Sequence, residues 1–256
     1  MIFKFLFKTR KTHPMSQHTF IAGGSSGIGL ATVRRLLALG HKVTVAARNR
    51  EKLEAARSGL AAEGLAGDVH TLVMDAADAP GLPGLFARTG PIDHLVLALG
   101  SGKGVGPFAG MAVADMRASF EEKVFAHFAT AQAALPHLRK DGSLTFISAV
   151  SAQAAMPGTS GIGAANAAVE ALAMILASEL RPLRVNAVSP GIVDTPWWDF
   201  LDETQKRAAF ADYAGKTPVG RVGQPEDIAD VIAFIIGNTF VTAQTIVCDG
   251  GVRLPA

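Results

Sequence analysis

The sequence predicts one doubly wound α/β domain, a parallel sheet of about seven strands with helices on both faces. Three observations carry that expectation. From Thr19 onward, short runs rich in Val, Ile, Leu and Phe alternate with longer stretches of helical period. A glycine-rich turn, Gly23-Gly24-Ser25-Ser26-Gly27-Ile28-Gly29, separates the first apolar run from the first helical stretch. The 256 residues, 49% hydrophobic and 18% charged, suffice for one substantial core.

In chain order, strands are expected at Thr19–Gly23, Lys42–Ala47, Asp68–Met74, His94–Leu99, Ser143–Ser148, Arg184–Val188 and Thr245–Val247. Helices are expected near Gly27–Leu39, Arg50–Glu63, Ala112–Leu138, Gly161–Leu180 and Pro225–Gly237. Right-handed crossovers between parallel strands put the ligand crevice beyond their carboxyl ends, so functional residues are sought just after strands. Residues 190–218 surround a short helical segment with Trp197, Trp198, Phe200, Phe210 and Tyr213, and read as a lid or as a surface flap. With no repeat or linker, the domain runs over 16–256.

The formal charge of +2, with no basic block in the body of the chain, indicates neither nucleic acid nor an anionic membrane. Small-molecule partners are expected instead. Cys248, the single cysteine, excludes an internal disulfide and reads as a buried packing residue, and a cytoplasmic location fits. The first fifteen residues, Phe-rich and basic, with Met15 as a second possible start, are read as a leader outside the fold; a disordered membrane-touching or targeting arm is the alternative. Elsewhere no stretch is expected to span a bilayer. The seven His residues show no metal-site spacing.

In the glycine-rich turn, small residues permit close backbone approach, and the free amides and dipole of the following helix favour a pyrophosphate. With glycines at 23, 27 and 29, the turn resembles the Gly-x-x-x-Gly-x-Gly fingerprint of the short-chain dehydrogenases/reductases, a Rossmann-type family. The segment RVNAVSPGIVDTP from Arg184 resembles the family stretch after the sixth strand, and PVGRVGQPEDIADVIAFI with VCDGG resembles its last helix and strand. The resemblance implies that Gly23, Ser25, Ser26, Gly27, Ile28, Gly29 and Gly100 contact the cofactor, and that Pro190, Gly191 and Thr195 meet its nicotinamide end. It also implies a homo-oligomer, a dimer or tetramer packed through long helices.

The end of the second strand reads Val45-Ala46-Ala47-Arg48-Asn49, with no carboxylate to bind ribose hydroxyls or repel a 2′-phosphate. Arg48 can offer that phosphate a charge-assisted fork, so NADP(H) is preferred over NAD(H); the bland alternative is a solvated helix-entry residue. Asp75 matches the family acid near the adenine, with turn capping as its alternative. The fourth strand ends Leu97-Ala98-Leu99-Gly100 and keeps only the glycine of the family's Asn-Asn-Ala-Gly.

Carbonyl reduction needs a hydride to carbon and a proton to the developing alkoxide. The family supplies the proton from a Tyr whose pKa is lowered by a Lys four residues on, aided by a Ser and an Asn. Matching AAVEAL registers the Lys position on Asn166 and the Tyr position on Ile162; the Ser position falls on Ala149 and the Asn position on Lys123. All four differ from the family. Ser148 and Ser151 flank Ala149 and are expected to point elsewhere; Ser160 reads as an N-cap, and Tyr213 belongs to the lid. Lys123 is the one candidate acid: it keeps a positive charge at a moved position, unless it lies on a solvated face beside Glu121 and Glu122. Function is therefore read as an oxidoreductase homologue acting on an apolar carbonyl or alcohol through a weakened site near Ala149, Met156, Ile162, Trp197 and Trp198. The alternative is an inactive NADP(H)-binding protein serving as sensor or partner subunit.

Overall fold

In the computed structural model, residues 16–65 and 67–254 are described. The expectation for the first fifteen residues lies outside them. Seven strands form one parallel sheet in the order β3-β2-β1-β4-β5-β6-β7: β1 His18–Ala22, β2 Lys42–Ala47, β3 Val69–Val73, β4 Ile92–Leu97, β5 Leu138–Ile147, β6 Arg184–Pro190 and β7 Thr245–Cys248. The order reverses direction between β1 and β4, the switch point at which such sheets open a crevice.

Each central strand is buried on both faces, so adjacent residues enter different cores. Phe20 and Leu95 pack with Phe86, Val169 and Ala173 on one side. That layer comprises α3 (Leu82–Phe86), α5 (Ala126–Ala134) and α6 (Ser160–Glu179). Ile21, Val43, Val45 and Val96 pack with Val33, Leu36, Leu53 and Ile232 on the other, under α1 (Gly27–Ala38), α2 (Arg50–Ala62) and α8 (Pro225–Gly237). Contrary to the sequence expectation, α6 is long and apolar enough to span a bilayer, a test that a core helix also passes. Its face bearing Val169, Ala173 and Ala177 is instead buried in the core.

The expected helix from Ala112 to Leu138 is interrupted. It begins as α4 (Val113–Phe120), widens into a π turn at Glu121–Phe125, resumes as α5, and ends before Leu138, which already belongs to β5. The short α3 escaped the sequence reading, and the short helical segment expected in the lid is the fourteen-residue α7 (Glu203–Lys216). The latter carries a readable start signal, since Asp202 and Gln205 form a reciprocal capping box.

The amino ends of the strands hold a buried polar layer remote from the crevice. His18 contacts Pro91 O at 2.7 Å and Thr44 Oγ1 at 2.8 Å, and His94 Nδ1 lies 2.8 Å from Ser143 Oγ. The buried Arg184 guanidinium donates to the carbonyls of Ile235, Ile236 and Asn238, completing the carboxyl end of α8. Burial, reinforced by His41 and Arg184, lowers the His94 pKa to about 3. The depressed value means that the unfolded chain takes up a proton that the folded one refuses, so stability falls as pH drops below the ordinary histidine range. Between pH 7.5 and 5 this one group removes about 2 kcal/mol. Urea unfolding at both pH values is expected to show a larger loss in the natural protein, since His127 is depressed likewise, and in His94→Asn a loss smaller by about 2 kcal/mol.

Candidate functional site

The glycine-rich turn joins β1 to α1 and is shaped first by the protein's own backbone. Gly23 has φ of +84°, and a side chain there would collide with the Ala98 carbonyl, just as one at Gly29 would collide with the carbonyl of Gly23. Ser26, at the N-cap of α1, makes no side-chain capping bond, and the first turn of α1 holds no acidic residue. The amides of Gly27, Ile28 and Gly29 thus lie at an uncapped helix end suited to an anion. Ser25 stands in the same turn.

Arg48 follows β2 directly, is exposed and has no ion-pair partner among the described residues. The next residue, Asn49, is committed to capping α2 by accepting from Lys52 N at 2.8 Å. Asp75 is exposed beyond β3, where one carboxylate oxygen accepts from Ala77 N at 3.0 Å, so the turn-capping role anticipated as its alternative is present. Gly100 is exposed beyond β4.

At the catalytic register, Asn166 lies on α6 with 2% of its surface exposed. Its Nδ2 donates to Ser151 Oγ at 3.1 Å, while its Oδ1 is buried without a partner. Ser189 Oγ, at the end of β6, is likewise buried and unpaired. Ala149 and Ile162 bring no polar side chain. The Ile162 amide donates to Gly104 O at 3.0 Å, and Gly106 N donates to Gly158 O at 2.8 Å. The loop after β4 is thereby pinned across the start of α6.

Three sequence expectations change here. Ser160 is the first residue of α6, not its N-cap, and Thr159 takes the capping position without a side-chain bond. Ser151 does not point away: strand alternation ends with β5 at Ile147, and a 3₁₀ turn at Val150–Ala152 brings its hydroxyl to Asn166. Its proximity to Ala149 was the only signal in the sequence. Ser148, by contrast, donates to Glu170 Oε1 at 2.7 Å. Cys248 is half-buried rather than fully enclosed, and burial raises its pKa, keeping the thiol protonated.

Lys123 is not on a solvated face. The π turn directs it inward, where it is 4% exposed and its Nζ donates to Ile147 O at 2.7 Å and Leu99 O at 2.9 Å. The ammonium therefore bridges the carboxyl ends of β4 and β5. Glu122 turns away to accept from Ser101 Oγ at 2.8 Å. Removal from water lowers the Lys123 pKa to about 7. One turn on, His127 Nδ1 lies 2.6 Å from Lys123 O; burial first and the Lys123 charge second lower the His127 pKa to about 3. The imidazole is neutral, and the ammonium is the charge of this pair.

The lid holds its shape through aromatic packing. Trp198 contacts Trp197, Phe200, Phe210 and Tyr213 with ring centroids 4.9 to 6.0 Å apart. Lys206 pairs with Asp194 at 2.7 Å. Trp197 Nε1 donates to Ser101 O at 2.9 Å, joining lid to loop. Thr195 lies against Gly27, bringing the segment after Pro190 and Gly191 onto the glycine-rich turn. A cavity of about 540 Å³, lined by Phe108, Ser151, Met156, Pro157, Ser160 and Ala167, opens beside the Ser151 end of this cluster, and neither Ile162 nor Asn166 lines it. Among the described residues no His, Cys, Asp and Glu cluster suits a metal.

Residues 22–253 match the family model described as enoyl-(acyl carrier protein) reductase. A 3-oxoacyl-acyl-carrier-protein reductase of Thermotoga maritima is 31% identical over 241 residues, covering 90% of this chain and 95% of its own. A short-chain oxidoreductase of Pseudomonas aeruginosa, described as containing an atypical catalytic center, aligns with a TM-score of 0.83 at 30% identity, covering 94% of this chain and 98% of that one. An actinorhodin polyketide ketoreductase variant solved with NADPH gives a TM-score of 0.83 at 28% identity, with coverage of 94% and 98%.

Gly104 has φ of +73°, and a Cβ there would stand 2.8 Å from Ser119 Cβ and 2.9 Å from Ile162 N. Gly104→Ala is expected to lose about 1–3 kcal/mol in chemical denaturation. Gly102→Ala, which meets nothing within 4 Å, serves as the near-neutral control.

Proposed function

The chain belongs to the short-chain dehydrogenase/reductase family, and on that premise we propose an NADP(H)-dependent oxidoreductase homologue that acts on an apolar carbonyl or alcohol through an atypical, weakened site. One observation carries the reading: a turn suited to a dinucleotide stands beside the positions, read as catalytic, that lack the family's hydroxyls. The close-packed turn at Gly23 and Gly29, the uncapped start of α1 and the unpaired Arg48 are all present, whereas Ala149 and Ile162 carry no hydroxyl.

The residues fit the cofactor. Amides at Gly27–Gly29 would hold the pyrophosphate, and Arg48 a 2′-phosphate. Asp75 would serve the adenine end, and Gly100 a close backbone approach. Asn166 Oδ1 and Ser189 Oγ, buried and without partners, offer hydrogen bonds toward the nicotinamide end beside Pro190, Gly191 and Thr195. When bound, the cofactor supplies or accepts a hydride. The NADPH of the actinorhodin ketoreductase variant supports the choice of cofactor, and the reductase name of the Thermotoga relative supports a carbonyl substrate.

Ser151, held by Asn166, is the hydroxyl available to a substrate oxygen in place of the one missing at Ala149. Lys123 keeps the positive charge that Asn166 lacks. A placed general acid contributes about 10²–10⁴-fold, so its loss leaves slow turnover and does not abolish it. A second reading, an inactive NADP(H)-binding sensor or partner subunit, is favoured by the enclosure of Lys123 and the pinned loop over Ile162. The exposed Phe125, Phe128, Leu135, Met174 and Ile175 around α5 and α6 support a homo-oligomer, dimer or tetramer.

NADPH consumption over a panel of apolar ketones, aldehydes and quinones tests the first reading. The natural protein is expected to turn over slowly, and the triple variant Ala149→Ser, Ile162→Tyr, Asn166→Lys faster; activity confined to the variant supports the second reading. Arg48→Ala is expected to weaken NADPH binding roughly 10- to 100-fold, as for a lost charge-assisted bond, and to leave NADH binding unchanged.

A further inference from the structure

The cluster around the π turn has a consequence that the placement of catalytic groups does not exhaust. Lys123 brings a buried ammonium to the carboxyl ends of β4 and β5, where its partners among the described residues are the neutral carbonyls of Leu99 and Ile147. The charged and titratable groups around it leave it uncompensated. On its own turn Glu121 is exposed and Glu122 is taken by Ser101. On α5 His127 is neutral, and on α6 Glu170 accepts from Ser148 and Gln153. From β4 and β5 it receives carbonyl oxygens alone.

A nicotinamide cofactor exists in two forms that differ by one charge on the ring. The oxidised ring is cationic, the reduced ring neutral, and everything else in the two molecules is the same. An uncompensated cation buried at the crevice, as Lys123 is, repels the first and tolerates the second. Resting on the reading of the crevice as a nicotinamide site, we propose that Lys123 sets the redox state of the cofactor this protein holds, selecting the reduced dinucleotide over the oxidised one. The residue then acts by its charge, through space, and positions no proton. Selectivity of this kind suits a reductase that must discharge oxidised cofactor, and equally a protein that senses the ratio of the two forms.

The selection follows the protonation of Lys123. It is complete where the ammonium persists and fades as pH rises through about 7, the value to which burial lowers the group. The shared 2′-phosphate titrates identically in both ligands and cancels in the ratio of their affinities.

Calorimetric titration of the full chain with NADPH and, separately, with NADP⁺ at pH 6 and pH 9 tests this. The natural protein is expected to bind NADPH over NADP⁺ by roughly tenfold more at pH 6 than at pH 9, the size of a screened unit charge nearby. Lys123→Met is expected to show the weaker preference at both pH values, and Lys123→Arg, which stays charged, the stronger one at both. A ratio that does not change with pH in the natural protein, or that survives in Lys123→Met, overturns the proposal while leaving the cofactor site intact. The pH comparison needs no variant, so it decides the matter even if Lys123→Met does not fold. Binding of neither nucleotide overturns the cofactor reading and this inference with it.

Discussion

The site depends on one interaction, the Lys123 ammonium held between the carbonyls of Ile147 and Leu99. A lone cation inside a protein is destabilising unless hydrogen bonds replace its water, and here the carbonyls at two strand ends do so in part. The tie fixes the spacing of the β4 and β5 ends. It also anchors the segment from which Gly100, Ser101 and Gly104 extend. Ser101 in turn receives the lid through Trp197, and Gly104 caps the Ile162 amide. Loop, lid and the start of α6 therefore share one anchoring point.

That arrangement moves charge without discarding it. The family places Lys on α6, and this chain has Asn166 there and Lys123 on the neighbouring π turn. Asn166 is not idle, since it orients Ser151 and presents a free carbonyl oxygen. The cradle around Gly23 and Gly29 is set by backbone contact with Ala98 and with itself, so it persists whatever happens to the catalytic groups. On the proposed function, binding and chemistry are separable, and the departures from the family pattern fall on the side of chemistry.

Most of the fold was legible because buried parallel strands are written as continuous apolar runs, and their ends differ from expectation by a few residues only. AAVEAL suggests a family register at Asn166 and Ile162, and the structure has both residues buried on α6. What the sequence hid follows from local geometry. FEEKVFAHF reads as a regular helix with Lys123 among acidic neighbours, and nothing local announces the π turn that adds a residue and swings Lys123 inward. Ser151 was dismissed by a strand rule that no longer holds beyond Ile147. The length of the lid helix α7 was not legible because none of its residues is fully buried, so it carries no core-facing apolar stripe beyond the Asp202 and Gln205 capping pair.

Coupling between Lys123 and the cofactor is reciprocal: if the ammonium favours the reduced dinucleotide, the reduced dinucleotide must favour the ammonium. Lysine side-chain carbon NMR, with Lys123 assigned by substitution, reads that protonation directly. With the free protein titrating near 7, Lys123 is expected to titrate lower with NADP⁺ bound than with NADPH bound, by about the one unit that a tenfold selectivity implies. A Lys123 that titrates in the ordinary lysine range, or whose titration is indifferent to both nucleotides, would contradict it.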